Sequence, residues 1–244
     1  MGAFFSFVYG VAAYAASFAT LLYVIGFSGN LLVPKSVDIG PSAPLAEAVV
    51  VNLLLLGLFG VQHSVMARRG FKQWLTRIVA PAVERSTYLV ATCIALALLY
   101  WLWVPIAEPV LWRVDSPFAA ALLWGVFGLG WLILLVSTFL INHFELFGLH
   151  QVYARITGRA MPEVQFKTPM LYRYVRHPIY VGLLLGFWST PVMTAGHALF
   201  ALGASAYILV GIWFEERDLI AQFGERYRRY RAEVGMLVPR RGRS

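Results

Sequence analysis

The sequence predicts an all-α integral membrane protein. About six transmembrane helices are expected, the last two forming a helical hairpin, followed by a C-terminal interfacial amphipathic helix. Three observations carry this. Hydrophobic residues fill 59% of the 244 positions and charged residues only 13%, about half the charged share of a soluble domain, and the mean hydropathy is +0.69. The apolar residues gather into runs close to the roughly 20 residues that a bilayer requires. The basic residues are spread unevenly over the connections between those runs. This composition excludes a disordered chain and argues against a soluble enzyme. A single cysteine, Cys93, allows neither a disulfide within the chain nor a cysteine-based zinc site.

The first run, from about Phe4 to Leu32, holds no charge. It lacks a basic n-region and a clear cleavage site, so it reads as a retained helix and not a signal peptide. The second run, about Glu47 to Met66, is centred on LLLLGLFG; the third, about Ser86 to Ile106, contains Cys93; the fourth runs from about Phe118 to Asn142. After a polar stretch come His177 to Val192 and Ala198 to Phe214, apolar segments of 16 and 17 residues. These are short for spans. Thr190-Pro191 and the small residues Thr194, Ala195 and Gly196 mark a turn between them, hence the hairpin. The tail QFGERYRRYRAEV reads as an amphipathic helix with tyrosines at headgroup level and arginines against anionic lipid.

The connections set the orientation. Residues 67–85 hold five basic residues and one acidic, 143–177 five and two, and 215–244 eight and five; the alternate loops 33–47 and 106–117 together hold two and four. Eighteen of the 20 basic residues therefore fall on one side, which the positive-inside rule makes cytoplasmic. An even number of spans places both termini there.

Polar residues cluster at the same ends. Glu215, Glu216, Arg217 and Asp218 follow the last apolar run, where Lys or Arg is the usual first charge; they read either as a solvated helix end or as an acidic contact for a ligand. In YRYVRHPIYVG (172–182), Pro178 suits a first helical turn and leaves His177 beside free backbone N–H groups, a place for an anion or carboxylate. Arg176 adds charge, Tyr174 and Tyr180 are neighbours, and Gly182 permits close approach of a ligand or a second helix. The alternative is an interface anchor of Arg, His and Tyr. His143 and His150 share a face if their helix continues, with Glu145 and Gln151 nearby. Gln62-His63-Ser64 ends the second span, a depth at which polar groups are functional candidates. His197, at the opposite turn, reads as polar decoration. No local histidine metal box, GxGxxG or GxxxxGK[ST] occurs, so neither a metal nor nucleic acid is expected as a partner.

RHPIYVG at 176–182, an apolar hairpin, and EERDLIAQFGERYRRYRAEV at 215–234 together resemble the isoprenylcysteine carboxyl methyltransferase superfamily of membrane enzymes. QHSVMARRGFK, ERSTY, INHFELFGLHQVY, FKTPMLYRYVRHP and MLVPR further resemble the bacterial methanethiol S-methyltransferases. QHSVMAR is also similar to NnrU-type membrane proteins, for which a haem with His63 as ligand is the alternative reading. Met170 departs from the pattern: related sequences usually place glycine before Leu-Tyr-Arg-Tyr.

The resemblance implies S-adenosylmethionine as cofactor and a small thiol as substrate, in a bacterial inner membrane. Residues 1–142 would supply four helices and 143–244 the cofactor-binding half of a single domain. Carried over by motif, Tyr174, His177, Tyr180, Gly182, Glu215 and Glu216 would bind the cofactor, with Arg176 holding its carboxylate. Long lipid or prenylated-cysteine substrates are the alternative to a small thiol. Methyl transfer to a thiol needs a thiolate, and a histidine is a reasonable base: His143 and His63 are the candidates, with the field of Arg176 as another aid.

Overall fold

A computed structural model describes residues 2–161 and 165–240. In chain order they form helices α1 (Ala3–Gly29), α2 (Leu45–Ala67), α3 (Arg69–Leu75), α4 (Glu84–Leu102), α5 (Pro117–Ile141), α6 (His143–Leu146), α7 (Leu149–Thr157), α8 (Pro178–Trp188), α9 (Ala195–Phe223) and α10 (Glu225–Glu233), with short strands at Val110–Arg113 and Val192–Thr194. Among the described residues, five helices are long and apolar enough to cross a bilayer: α1, α2, α4 with the turn before it, α5 and α9. Phe4, Leu54, Trp101, Phe118 and Leu202 on these helices are each more than half exposed. So much exposed apolar surface is tolerable only against lipid. The protein is an all-α integral membrane protein.

The hairpin differs from expectation in its first arm. α8 has 11 residues, about 16 Å of helix, roughly half of a 30 Å hydrocarbon core. Residues 189–194 complete the arm without helix. Non-helical backbone is tolerated within a bilayer only when buried and internally bonded, and most of this stretch meets that condition. Ser189, Thr190, Pro191, Met193 and Thr194 are buried. The Val114 N–H donates to the Pro191 carbonyl at 2.9 Å, and the Trp112 indole donates to the Thr190 carbonyl at 3.0 Å. The second arm, α9, runs past Phe214 through the charged EERD to Phe223, where Gly224 at φ 57 turns the chain. Charge ended the apolar pattern but not the helix.

The chain packs as two compact units. The first comprises residues 2–111, 143–161 and 194–200. Several of its buried polar side chains bond back to the backbone. In α1, Ser17 and Ser28 donate back to the carbonyls of Ala13 and Val24 at 2.8 and 2.9 Å. Asn52, fully buried in α2, exchanges two hydrogen bonds with the backbone of Val104 at 2.8 and 2.9 Å, fastening the connection after α4. Gly10 of α1 lies against Val152 of α7, so close that a Cβ would meet a valine methyl at 2.6 Å. His197 is not polar decoration. It is fully buried, its Nδ1 is 3.9 Å from Asp38 Oδ2, and its N–H donates to the Thr194 hydroxyl at 3.0 Å, capping the start of α9.

The second unit comprises residues 112–142, 165–193 and 201–240. Its centre is the contact of α5 with α8, made by glycines. A Cβ on Gly182 would lie 2.5 Å from the Gly130 carbonyl, one on Gly130 2.7 Å from the Gly182 carbonyl, and one on Gly186 2.8 Å from the Trp131 ring. Small residues let membrane helices approach to backbone contact. Of the two uses that the sequence left open for Gly182, close approach of a second helix is the one seen.

Candidate functional site

The expected cluster around RHPIYVG assembles within the second unit. A single helical turn at Met170–Arg173 leads into Tyr174, Val175, Arg176 and His177, and α8 begins at Pro178 with His177 as its N-cap. Met170 enters this turn at φ 38, the left-handed conformation that glycine adopts freely and other residues adopt at a cost. The position where the resembling sequences carry glycine is thus one whose backbone favours it. The chain end returns to the same place: the Arg176 N–H donates to the Gly235 carbonyl at 2.9 Å and the His177 N–H to the Met236 carbonyl at 3.2 Å. Gly235 is required there, since a Cβ would lie 1.9 Å from the Val238 carbonyl oxygen.

Glu216 of α9 is the hub. Arg176 donates through Nε to Glu216 Oε1 at 2.7 Å, and its NH2 lies 2.7 Å from the same oxygen. His177 Nε2 is 3.1 Å from Oε1, and Arg231 of α10 places Nε 3.6 Å from Oε2. A carboxylate only accepts, so His177 Nε2 carries a hydrogen. Arg176 also donates through NH1 to the carbonyls of Arg231 and Val234. Each guanidinium nitrogen therefore has a protein partner. Arg176 was expected to hold a ligand carboxylate; in this structure it clamps α9, α10 and the chain end onto the start of α8. The side chains of Arg176, His177 and Glu216 are only 8%, 3% and 11% exposed, which makes these charge-assisted bonds count for more than surface pairs do.

Glu215 is placed differently. Its Oε2 lies 3.5 Å from His177 Nδ1 yet is enclosed and makes no hydrogen bond among the described residues. An enclosed acceptor of this kind suits a ligand donor such as an ammonium or hydroxyl. Tyr180 packs its ring 5.6 Å from His177, while Tyr174 is 66% exposed.

Tyrosines of the tail turn inward and not toward headgroups. Tyr227 is 2% exposed; its ring and that of Tyr230 pack edge-on against Phe166 at 5.9 and 5.4 Å. Tyr230 donates to the Tyr172 carbonyl, and burial holds its hydroxyl pKa up at about 12. Arg228 and Arg229 face outward, 62% and 78% exposed. Arg231, Gly235 and Tyr227 are the residues that sequence reasoning missed. The spacing of Tyr227 and Arg231, four apart on one helical face, was the available signal.

The two histidines proposed as bases belong to the first unit. His143 is buried, its Nε2 3.0 Å from the Tyr14 hydroxyl, with the Phe147 ring at 4.7 Å. Burial lowers its pKa, so the imidazole is neutral at neutral pH. His63 is held by Tyr88, whose hydroxyl is 2.6 Å from Nε2, and by Thr92, 3.2 Å from Nδ1. His143 and His150 do not share a helix: Asn142 at φ 173, ψ 84 ends α5, and Gly148 at φ 77 separates α6 from α7.

This chain is similar along nearly its whole length to curated bacterial enzymes. It is 53% identical over 239 residues to the methanethiol S-methyltransferase of Mycobacterium tuberculosis, covering 98% of each chain. It is 52% identical over 236 residues to methanethiol S-methyltransferase 1 of Bradyrhizobium diazoefficiens, covering 97% of this chain and 82% of the relative. The chain belongs to the methanethiol S-methyltransferase family. Beyond the methanethiol S-methyltransferases, it is 32% identical over 179 residues to nurim of Bos taurus, covering 70% of this chain and 68% of that protein. No family model matches the sequence, and no solved structure matches the fold.

Proposed function

We propose that this protein transfers a methyl group from S-adenosylmethionine to methanethiol, forming dimethyl sulfide. The observation that carries the reading is identity of about half the residues, across almost all of both chains, to proteins named for that reaction. The second unit supports it with a fitting site: an enclosed carboxylate oxygen on Glu215 without a hydrogen bond, beside His177 at a helix start. That combination complements the ammonium and carboxylate of an amino-acid group.

When bound, S-adenosylmethionine supplies an electrophilic methyl on a sulfonium sulfur. Glu215 then accepts from the ammonium, and Tyr180 closes the site beside His177. Arg176 and Glu216 hold the site's walls together. Methanethiol is mostly protonated at neutral pH, so the reaction needs a proton acceptor, and the hydrogen-bonded imidazoles of His143 and His63 are the candidates that would supply it.

A headspace assay of the purified protein with S-adenosylmethionine and methanethiol is expected to release dimethyl sulfide. Absence of product, with calorimetry showing no binding of S-adenosylmethionine or its demethylated product, overturns the reading. The site is assigned to the cytoplasmic side of the bacterial inner membrane, with both termini inside, on the 18-to-2 division of basic residues. Reporter fusions at each terminus are expected to be active only as cytoplasmic reporters; periplasmic activity at either end contradicts the topology.

A further inference from the structure

Tyr227 presents an unexplained hydroxyl. The residue is 2% exposed, and its OH makes no hydrogen bond among the described residues. It stands one helical turn before Arg231, whose Nε is 3.6 Å from Glu216 Oε2. A buried hydroxyl without a partner forfeits its hydration, so native structures rarely leave one unless something else occupies it. Glu215 Oε2 likewise makes no hydrogen bond among the described residues, although His177 Nδ1 faces it at 3.5 Å and the rest of the side chain is 43% exposed. One missing donor and one missing acceptor thus meet at the same charged cluster. Glu216, the other carboxylate of the cluster, is engaged by Arg176, His177 and Arg231.

We infer that the Tyr227 hydroxyl and Glu215 Oε2 form a donor–acceptor pair that grips the amino-acid end of the cofactor, tyrosine donating to its carboxylate and Glu215 accepting from its ammonium. This rests on the reading of S-adenosylmethionine as methyl donor. In an α-amino acid the two groups are attached to one carbon, so their protein partners must face one place: Tyr227 stands one turn before Arg231 on α10, and Arg231 reaches the residue next to Glu215, with its Nε 3.6 Å from Glu216 Oε2. Burial raises the hydroxyl pKa, as do the nearby carboxylates, which keeps tyrosine protonated and able to donate. The ring is fixed by Phe166 and Tyr230, at 5.9 and 5.8 Å. Tyr230 provides the contrast within the same helix face, since its hydroxyl already has the Tyr172 carbonyl.

The test pairs ligand affinity with stability of the ligand-free protein. Full-length wild type, Tyr227→Phe and Tyr230→Phe are titrated in detergent with S-adenosylhomocysteine and with 5′-methylthioadenosine, which lacks the amino-acid end, and are melted without ligand. Tyr227→Phe is expected to weaken S-adenosylhomocysteine binding roughly 5- to 30-fold, to leave 5′-methylthioadenosine binding unchanged, and to keep or raise the ligand-free Tm, because it removes a group that had no partner. Tyr230→Phe is expected to lower Tm, because it breaks a made bond. Wild-type affinity in Tyr227→Phe, an equal loss for both ligands, or a Tm drop matching that of Tyr230→Phe overturns the inference. Failure of wild type to bind S-adenosylhomocysteine overturns the cofactor reading itself and this inference with it, a result distinct from failure of the variant alone.

Discussion

Replacement of Glu216 by alanine is expected to destabilise the protein by about 3–5 kcal/mol and to remove cofactor binding. Arg176 is only 8% exposed and loses the carboxylate that it pairs with among the described residues, keeping the carbonyls of Arg231 and Val234. A buried cation stripped of its partner costs about that much. The loss also unties α9 from the start of α8, because His177 and Arg231 address the same carboxylate. Methyl transfer should fall at least about 100-fold, the scale associated with small displacements of positioning groups. Glu216→Gln keeps the shape and an acceptor oxygen without the charge, so its loss of Tm should be intermediate. Thermal melting with titration of S-adenosylmethionine measures both effects. A Glu216→Ala variant that melts and binds as wild type would mean that the clamp is not what holds the site together.

Replacing the thiol's base should reduce turnover beyond any loss of stability, and since His143 is buried and bonded to Tyr14 its truncation also lowers Tm. His143→Ala or His63→Ala is expected to lower kcat by roughly 10²–10⁴-fold, the range of general-base catalysis, while affinity for S-adenosylmethionine holds because only the thiol side is touched. The pH dependence follows from the sign of the shift. Burial lowers the pKa of His143, so its imidazole is already a competent base below the ordinary value near 6.5. The rate should therefore be flat across pH 7 to 8 in respect of His143 and decline only below its lowered pKa, and His143→Ala should abolish that acid limb if His143 is the base. Turnover measured from pH 6 to 9, beside cofactor affinity for each variant, decides. If both variants and their combination keep wild-type turnover, neither histidine is the base, and thiolate formation rests on the electrostatics of the bound sulfonium.

The membrane spans were legible because hydropathy is a local property. α1, α2, α4 and α5 begin and end within a few residues of the apolar runs, and Pro178 stands at the first helical position where its missing N–H is harmless. The placement of Arg176 and His177 beside the Glu pair followed from ordered motifs, which encode proximity that no periodicity contains. Helix continuation was not legible where a pattern was cut by charge or backbone: α9 continues through Glu215–Asp218 because helical hydrogen bonding is indifferent to side-chain charge, and α5 stops at Asn142, whose backbone leaves the helical region.

The sequence by itself determined the membrane class, the first four spans and the identity of the charged groups at the hairpin's entrance. Only the tertiary structure decided how those groups are spent. Arg176 meets Glu216, 40 residues away; Gly182 meets Gly130; His197 meets Asp38. The tail's pattern reads from sequence as a lipid-facing helix with tyrosines at headgroup level, and the inward packing of Tyr227 and Tyr230 on Phe166 corrects that. The physical reason is common to all of these. A charge or a small residue states what it requires, whether a counter-ion, a hydrogen bond or a close neighbour, but the partner is set by packing of segments distant in the chain. In a low-dielectric interior an unmet requirement is too costly to persist. The enclosed oxygen atoms of Glu215 and Tyr227, which find no hydrogen bond among the described residues, therefore stand out only after every other polar group at the site has been given its partner.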